Sequence, residues 1–169
     1  IQGLVALAQG EDVALVVIGP EDPLVAGLAD RMREADIPTF GPGANGSQLE
    51  GSKIFAKRFL ERHRIPTAAA RQFDRSGAAK SYLESCSIWP LVVKAEGLGA
   101  GKGVVGGANV KEGLSDVNAI MEERRYGKAS EGVLIEEFME GEEASVFAVT
   151  DGKTILIMEA VQDHKQVGE

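Results

Sequence analysis

Eleven residues, GLGAGKGVVGG at 97–107, carry six glycines: Gly97, Gly99, Gly101, Gly103, Gly106 and Gly107. Glycine reaches positive φ without a steric penalty and lets successive backbone N–H groups close on an anion. Lys102 adds a mobile positive charge in their midst. Phosphate binding is the chemistry that suits such a turn. A Walker A loop would need glycine at 96 and Ser or Thr at 103, where the chain has Glu96 and Gly103. A dinucleotide fingerprint is literally present as Gly101-Lys102-Gly103-Val104-Val105-Gly106. It must follow a strand and open a helix, whereas Val104 and Val105 extend into a strand. The third reading is a hairpin loop folded over the phosphates of a nucleotide, and a flexible hairpin without ligand is the plain alternative.

Other residues suit the same ligand. Lys94 ends the apolar run PLVVKA (90–95) and must find a partner or snorkel out. A nucleotide phosphate is one such partner, and a structural salt bridge is another. Lys53, near the start of a helix, reaches phosphates on the functional reading and water on the ordinary one. IEEFMEGEEASVF (135–147) places an acidic stretch between two apolar strands. That stretch is either a solvated connector or a segment whose backbone meets an adenine edge while a carboxylate takes the ribose hydroxyls. Glu143, seven residues beyond Glu136, fits that division. His164 and Lys165 stand in a polar segment, QDHKQVGE, that suits either phosphate contact or a loose tail. His63 reads as a surface residue, Cys86 as buried rather than nucleophilic, and Trp89 as a packing anchor. No zinc-ligand spacing and no Ser-His-Asp motif occur.

The elements that must hold these residues follow from periodicity. VALVVI (13–18) is a β-branched run of the kind found in a buried parallel strand. Leu24, Leu28 and Met32 predict one amphipathic helix over 23–35, and IPTFGP (37–42) a second short strand. Ser47 and Glu50 form a capping box, with Ser52 as a competing cap, for a helix ending near His63. Asp74 or Ser76 opens a helix through Leu83, and Asn109 with Glu112 caps one carrying Leu114 and Val117. GVLIEEF (132–138), ASVFAVT (144–150) and KTILIMEA (153–160) read as strands, the last two joined by a two-residue turn at Asp151-Gly152. The opening strand, helix and strand would be half of an open sheet, so the chain is expected to start inside a domain.

Composition limits the function classes. Of 169 residues, 18 are Lys or Arg and 26 Asp or Glu, a net charge of −8 that argues against a general nucleic-acid binder. Glycine, at 21 residues, is well above the usual share of about 7%. No apolar run approaches the roughly 20 residues of a membrane span, and no signal-peptide n-region leads the chain. A single cysteine excludes an intrachain disulfide and suits a reducing cytoplasm.

In this order, VVIGPEDPLVAGLAD (16–30), FGP (40–42), QLEGSKIFAKRFLERHRIPTA (48–68), VVKAEGLGAGKGV (92–104), IEEFMEGEEASVF (135–147) and QDHKQVGE (162–169) resemble the phosphoribosylamine–glycine ligases, a family of ATP-grasp enzymes. Glu96 and Gly99 stand where that family commonly has Asp and Ala. The resemblance implies a mixed α/β and α+β chain. The remnant of an open α/β pre-ATP-grasp domain would span 1–46, and an incomplete ATP-grasp domain 47–169. It implies that Lys53 and Lys94 bind phosphates while Gly97, Gly99, Gly101, Lys102 and Gly103 close over them. Glu136, Glu137 and Met139 would meet the adenine, Glu143 the ribose, and His164 and Lys165 the phosphates or the acceptor. Glu21 would approach the 5-phosphoribosylamine substrate.

The implied reaction uses ATP with Mg²⁺ or Mn²⁺ to convert glycine to glycyl phosphate, from which the amine of 5-phosphoribosylamine displaces phosphate. Such chemistry rests on positioning and charge neutralisation, which lysines and a glycine-rich lid provide. Metal ligands are expected beyond residue 169 and none within the chain, so this polypeptide alone is not expected to be a competent ligase. Another ATP-grasp carboxylate–amine ligase or carboxylase, or a non-catalytic nucleotide-binding module, are the alternatives.

Overall fold

Residues 91–95 alternate strictly between buried and half-buried side chains, the period of a strand with one face on the core and another held for something else. That strand is central to the molecule. The structure, a computed structural model, describes residues 1–97 and 104–162, with the backbone alone for 104–106. Gly99, Gly101, Lys102, Gly103, His164 and Lys165 therefore lie outside the described residues.

The chain opens with α1 (Gln2–Gly10), β1 (Val16–Val17), α2 (Glu21–Val25), α3 (Leu28–Glu34) and β2 (Thr39–Phe40). β1 and β2 pair in parallel, Val16 opposite Thr39. The expected strand over 13–18 contracts to two residues, and Leu15 and Val17 are 55% and 64% exposed. Only one side of this two-stranded sheet is packed, through Ile18 with Ala8, Leu28, Ala29, Met32 and Ile37. The single helix expected over 23–35 is two, because Gly27 takes φ +84 and turns the chain between them. The apolar stripe survives the break: Leu28 and Met32 are buried and Leu24 half-buried.

α4 (Ala44–Gly51) and α5 (Lys53–Arg62) follow. Ser47 does not cap. It sits inside α4, where its N–H already reaches the carbonyl of Gly43 at 3.0 Å and its hydroxyl donates to the same oxygen. The chain becomes extended only at Ser52, whose Oγ accepts the N–H of Phe55 at 2.9 Å and caps α5.

β3 (Ala70–Phe73), β4 (Leu91–Ala95), β5 (Val104–Gly107) and β6 (Val133–Glu137) form one antiparallel sheet in the order β3-β6-β4-β5. Register assigns two faces. Leu91, Val93, Ala95, Val133 and Ile135 share one face and pack with Ala79 and Leu83 of α6 (Ser76–Ser85), Val117 of α7 (Val110–Val117) and Ile120 of the following π-helical turn. Trp89 packs against this core as expected. Asn109 Oδ1 accepts the N–H of Glu112 at 3.1 Å while Glu112 accepts that of Ala108, so this capping box is as read. The opposite face carries Val92, Lys94, Leu134 and Glu136.

By contact density the chain divides into Ile1–Phe138 and Met139–Glu169. In the second unit, the strand expected over 144–150 is broken into β7 (Ala144–Ser145) and β8 (Ala148–Thr150). β8 pairs with β9 (Ile155–Ile157), and β7 with β10 (Val161–Gln162). Thr150 lies opposite Ile155, so the turn has four residues, not two. Asp151 Oδ1 makes it by accepting the N–H groups of Lys153 and Thr154 at 2.9 and 2.7 Å.

Ile135, 1% exposed on the helix-covered face, fixes the sheet to its helices. Ile135→Ala is expected to cost roughly 2–5 kcal/mol in denaturant unfolding. A cost below about 1 kcal/mol would place the centre of the core elsewhere.

Candidate functional site

Two short stretches, the start of α5 and the end of β4, meet through Glu96. Its N–H donates to the carbonyls of Ala129 and Gly132 at 2.9 and 3.1 Å, and its own carbonyl accepts the N–H of Lys53 at 3.1 Å. Its carboxylate accepts the N–H of Ile54 at 2.9 Å and the hydroxyl of Ser52. An acidic group on the first turn of a helix satisfies orphan donors and opposes the positive end of the helix dipole. Glu96 thus anchors the entrance of the glycine-rich segment to α5.

Lys53 then has a fixed place. Its Nζ donates to the carbonyl of Gly97 at 2.8 Å. Burial, with the nearby Lys94 charge, holds its ammonium below the ordinary lysine range despite the opposing influence of Glu96 and Glu50.

Lys94 and Glu136 are diagonal neighbours across β4 and β6, since Glu136 lies opposite Val92 and Lys94 opposite Leu134. Glu136 Oε2 accepts from Lys94 Nζ, and Oε1 from Lys57 Nζ at 2.7 Å. Glu136 is 6% exposed. Burial alone would raise its pKa, but the hydrogen bonds and charges of Lys57 and Lys94 outweigh burial and hold it below the usual carboxylate value. Lys94 therefore has the structural salt bridge weighed for it. Its side chain still keeps 29% of its area exposed, beside the point where residue 104 pairs with it to close the β4–β5 hairpin.

The hairpin decides among the loop types. Val104–Gly107 is a strand antiparallel to β4, so the fingerprint at 101–106 opens no helix and the dinucleotide reading fails. Lys53, Lys94, Gly97 and Glu136 are brought into one neighbourhood by α5, β4 and β6. Glu137 is exposed at the β3 edge, its Oε1 accepting the N–H of Ala69 at 2.8 Å. Met139 and Glu143 belong to the second unit, where Met139 is 66% exposed. Glu21 begins α2 and lines a separate cavity of about 180 Å³ with Pro42, Ser47 and Glu50. Two contributors escaped the sequence reading: Lys57, and the Ser52–Glu96 joint. For Lys57 a signal existed, its place four residues after Lys53 on the same helix face. Among the described residues, no group of three acidic, histidine or cysteine side chains converges to hold a metal ion. Nor is any described helix long and apolar enough to cross a membrane.

The fold is that of the ATP-grasp enzymes. N5-carboxyaminoimidazole ribonucleotide synthetase from Thermus thermophilus matches with a TM-score of 0.71 at 21% identity, over 99% of this chain and 42% of that one. Residues 1–50 match the N domain of phosphoribosylglycinamide synthetase and residues 51–169 its ATP-grasp (A) domain, and the chain belongs to this family. Phosphoribosylamine–glycine ligase from Chlorobaculum tepidum is 47% identical over 169 residues, all of this chain and 40% of that protein. The crystal structure of phosphoribosylamine–glycine ligase from Thermotoga maritima matches with a TM-score of 0.76 at 29% identity, over 89% of this chain and 36% of that one. The chain thus spans about 40% of the length of the curated relative.

Because the folded-state pKa of Glu136 is depressed, its carboxylate adds stability above the unfolded value of about 4.3, and this is lost as pH falls through the lower folded value. Glu136→Gln leaves a buried lysine without its anion, and is expected to cost roughly 3 kcal/mol at neutral pH. The gap to the parent should narrow in denaturant melts below about pH 4. A gap that stays constant with pH would show that the ionised form contributes nothing.

Proposed function

We propose that this chain supplies the nucleotide-gripping part of an ATP-dependent ligase that joins glycine to 5-phosphoribosylamine. The product would be glycinamide ribonucleotide, with ADP and phosphate, in de novo purine synthesis. The supporting observation is the convergence of Lys53 and Lys94 at the base of a glycine-rich hairpin, in a chain of this family. ATP carries several negative charges, and on a protein of net charge −8 only local cations overcome the general repulsion. Lys53 and Lys94 provide these, and Lys102 with Gly97, Gly99, Gly101 and Gly103 is assigned the lid.

In this reading Glu136, Glu137 and Met139 meet the adenine, partly through backbone, while the Glu136 carboxylate stays on its two lysines, and Glu143 takes the ribose hydroxyls. His164 and Lys165 attend the phosphates or the acceptor, and Glu21 the phosphoribosylamine. The pre-ATP-grasp part is assigned to 1–46 and the ATP-grasp part to 47–169. The glycine carboxylate attacks the γ-phosphate and ADP departs. The phosphoribosylamine nitrogen then displaces phosphate from glycyl phosphate. A divalent ion, Mg²⁺ or Mn²⁺, would neutralise charge on the transferring group, and no step is assigned to residues of this chain through it. The setting is the cytoplasm, with small-molecule substrates rather than nucleic acid or membrane.

The test uses the full-length protein. Lys94→Ala is expected to weaken ATP binding by about ten- to a hundredfold, the worth of a charged hydrogen bond. Lys80→Ala, which removes a lysine paired with Glu122 on α6, should leave it within about twofold of the parent. Equal effects of the two would remove the nucleotide assignment. Turnover with bicarbonate but not with glycine plus phosphoribosylamine would replace the ligase by a carboxylating enzyme.

A further inference from the structure

We propose that Lys57 is a positioning residue for nucleotide binding, acting on Lys94 through Glu136. The proposal rests on the nucleotide reading of Lys94 given above. Lys57 lies one helical turn after Lys53 on α5, yet its side chain goes inward and the residue is 7% exposed. Its ammonium meets Glu136 Oε1 at 2.7 Å, Thr67 Oγ1 at 2.7 Å and the carbonyl of Ala68 at 2.8 Å. An ammonium has three N–H donors, and these three acceptors use them all. Lys57 therefore has no donor left for a ligand, and whatever it does for one must pass through its partners.

Glu136 is the partner with somewhere to pass it. The carboxylate divides its oxygens, Oε1 to Lys57 and Oε2 to Lys94. Lys57 holds one end of a rigid planar group, which fixes where the other end stands and so where the Lys94 ammonium rests. A buried carboxylate with one lysine instead of two would be poorly compensated and free to rotate or take a proton. Lys94 would then lose its support at the mouth of the hairpin. Thr67 and Ala68, just before β3, hold Lys57 from behind, so the cluster is braced against the backbone rather than against solvent.

A plain structural staple predicts a different energetic pattern, which a double-mutant cycle separates. ADP affinity of the full-length protein is measured by calorimetry, alongside thermal melts, for Lys57→Met, Glu136→Gln and the double variant. The expected result is about tenfold weaker ADP binding in Lys57→Met and no further loss when it is added to Glu136→Gln, because the two changes break one chain of contacts. Parental affinity in Lys57→Met, whatever its melting temperature, would overturn the proposal. So would losses that multiply in the double variant. Should a single variant fail to fold, Lys57→Arg carries the test. It keeps the charge, but a planar guanidinium cannot place three short bonds on one nitrogen. About threefold weaker ADP binding at a retained melting temperature is expected there, and parental affinity would again overturn the proposal. Lys94→Ala, run in parallel, separates the two readings: if it leaves ADP affinity unchanged, the nucleotide assignment itself fails.

Discussion

A buried carboxylate between two lysines is the constraint on which the first unit's arrangement depends. Glu136 ties α5 to β6 through Lys57 and ties β6 to β4 through Lys94. One face of the central sheet is closed by ordinary apolar packing, with Val93, Val133 and Ile135 against α6 and α7. The other face sets the ion cluster beside buried Leu134. Buried ion pairs contribute little net stability compared with hydrophobic groups of the same volume, while breaking one is costly. The gain from such a cluster is therefore geometric: a small number of side-chain positions satisfies all the partners at once, and Lys94 is held in place at the base of the hairpin.

A second joint works the same way. Glu96 takes backbone and side-chain donors from the start of α5 and gives its own N–H to Ala129 and Gly132. The helix N-terminus, the exit of β4 and the strand entering β6 are thus locked at one residue. Gly97 follows at once, and an added Cβ there would come within 3.2 Å of the Ala129 backbone, so a side chain would press Ala129 back by a few tenths of an ångström. Both joints hold the base of the glycine-rich segment, at Glu96 and Gly97 and at Lys94.

Local signals were readable to different depths. The strands at 91–95 and 133–137, the Asn109 cap and the end of α5 were legible because neighbouring residues determine them. Errors fell where one residue's backbone angle or side-chain bonds, invisible to periodicity, decide. Leu24, Leu28 and Met32 keep a helical stripe, so the break at Gly27 leaves no trace in their spacing. Ser47 has a good capping sequence, but α4 begins before it. The Asp151 turn depends on side-chain bonds that lengthen a two-residue turn to four.

The site follows the same rule with a sharper consequence. Lys94 stands out because lysine is unexpected at the end of an apolar strand, whereas Lys53, near a helix start, reads as solvated until the family resemblance assigns it to phosphate. Lys57 does not stand out, because a lysine in KIFAKRFLER reads as part of a solvated face. What draws it inward is a carboxylate 79 positions later in sequence, on the polar face of β6. Within β6, Glu136 itself reads as one of two adjacent acids, yet strand parity sends it to the lysine face and Glu137 to the other. Parity is a local property and charge pairing a non-local one. A buried ionic cluster becomes visible only when helix period, strand parity and sheet register are applied together. In that combination the lysine at i+4 from Lys53 and the acid diagonal to Lys94 are the residues most strongly constrained.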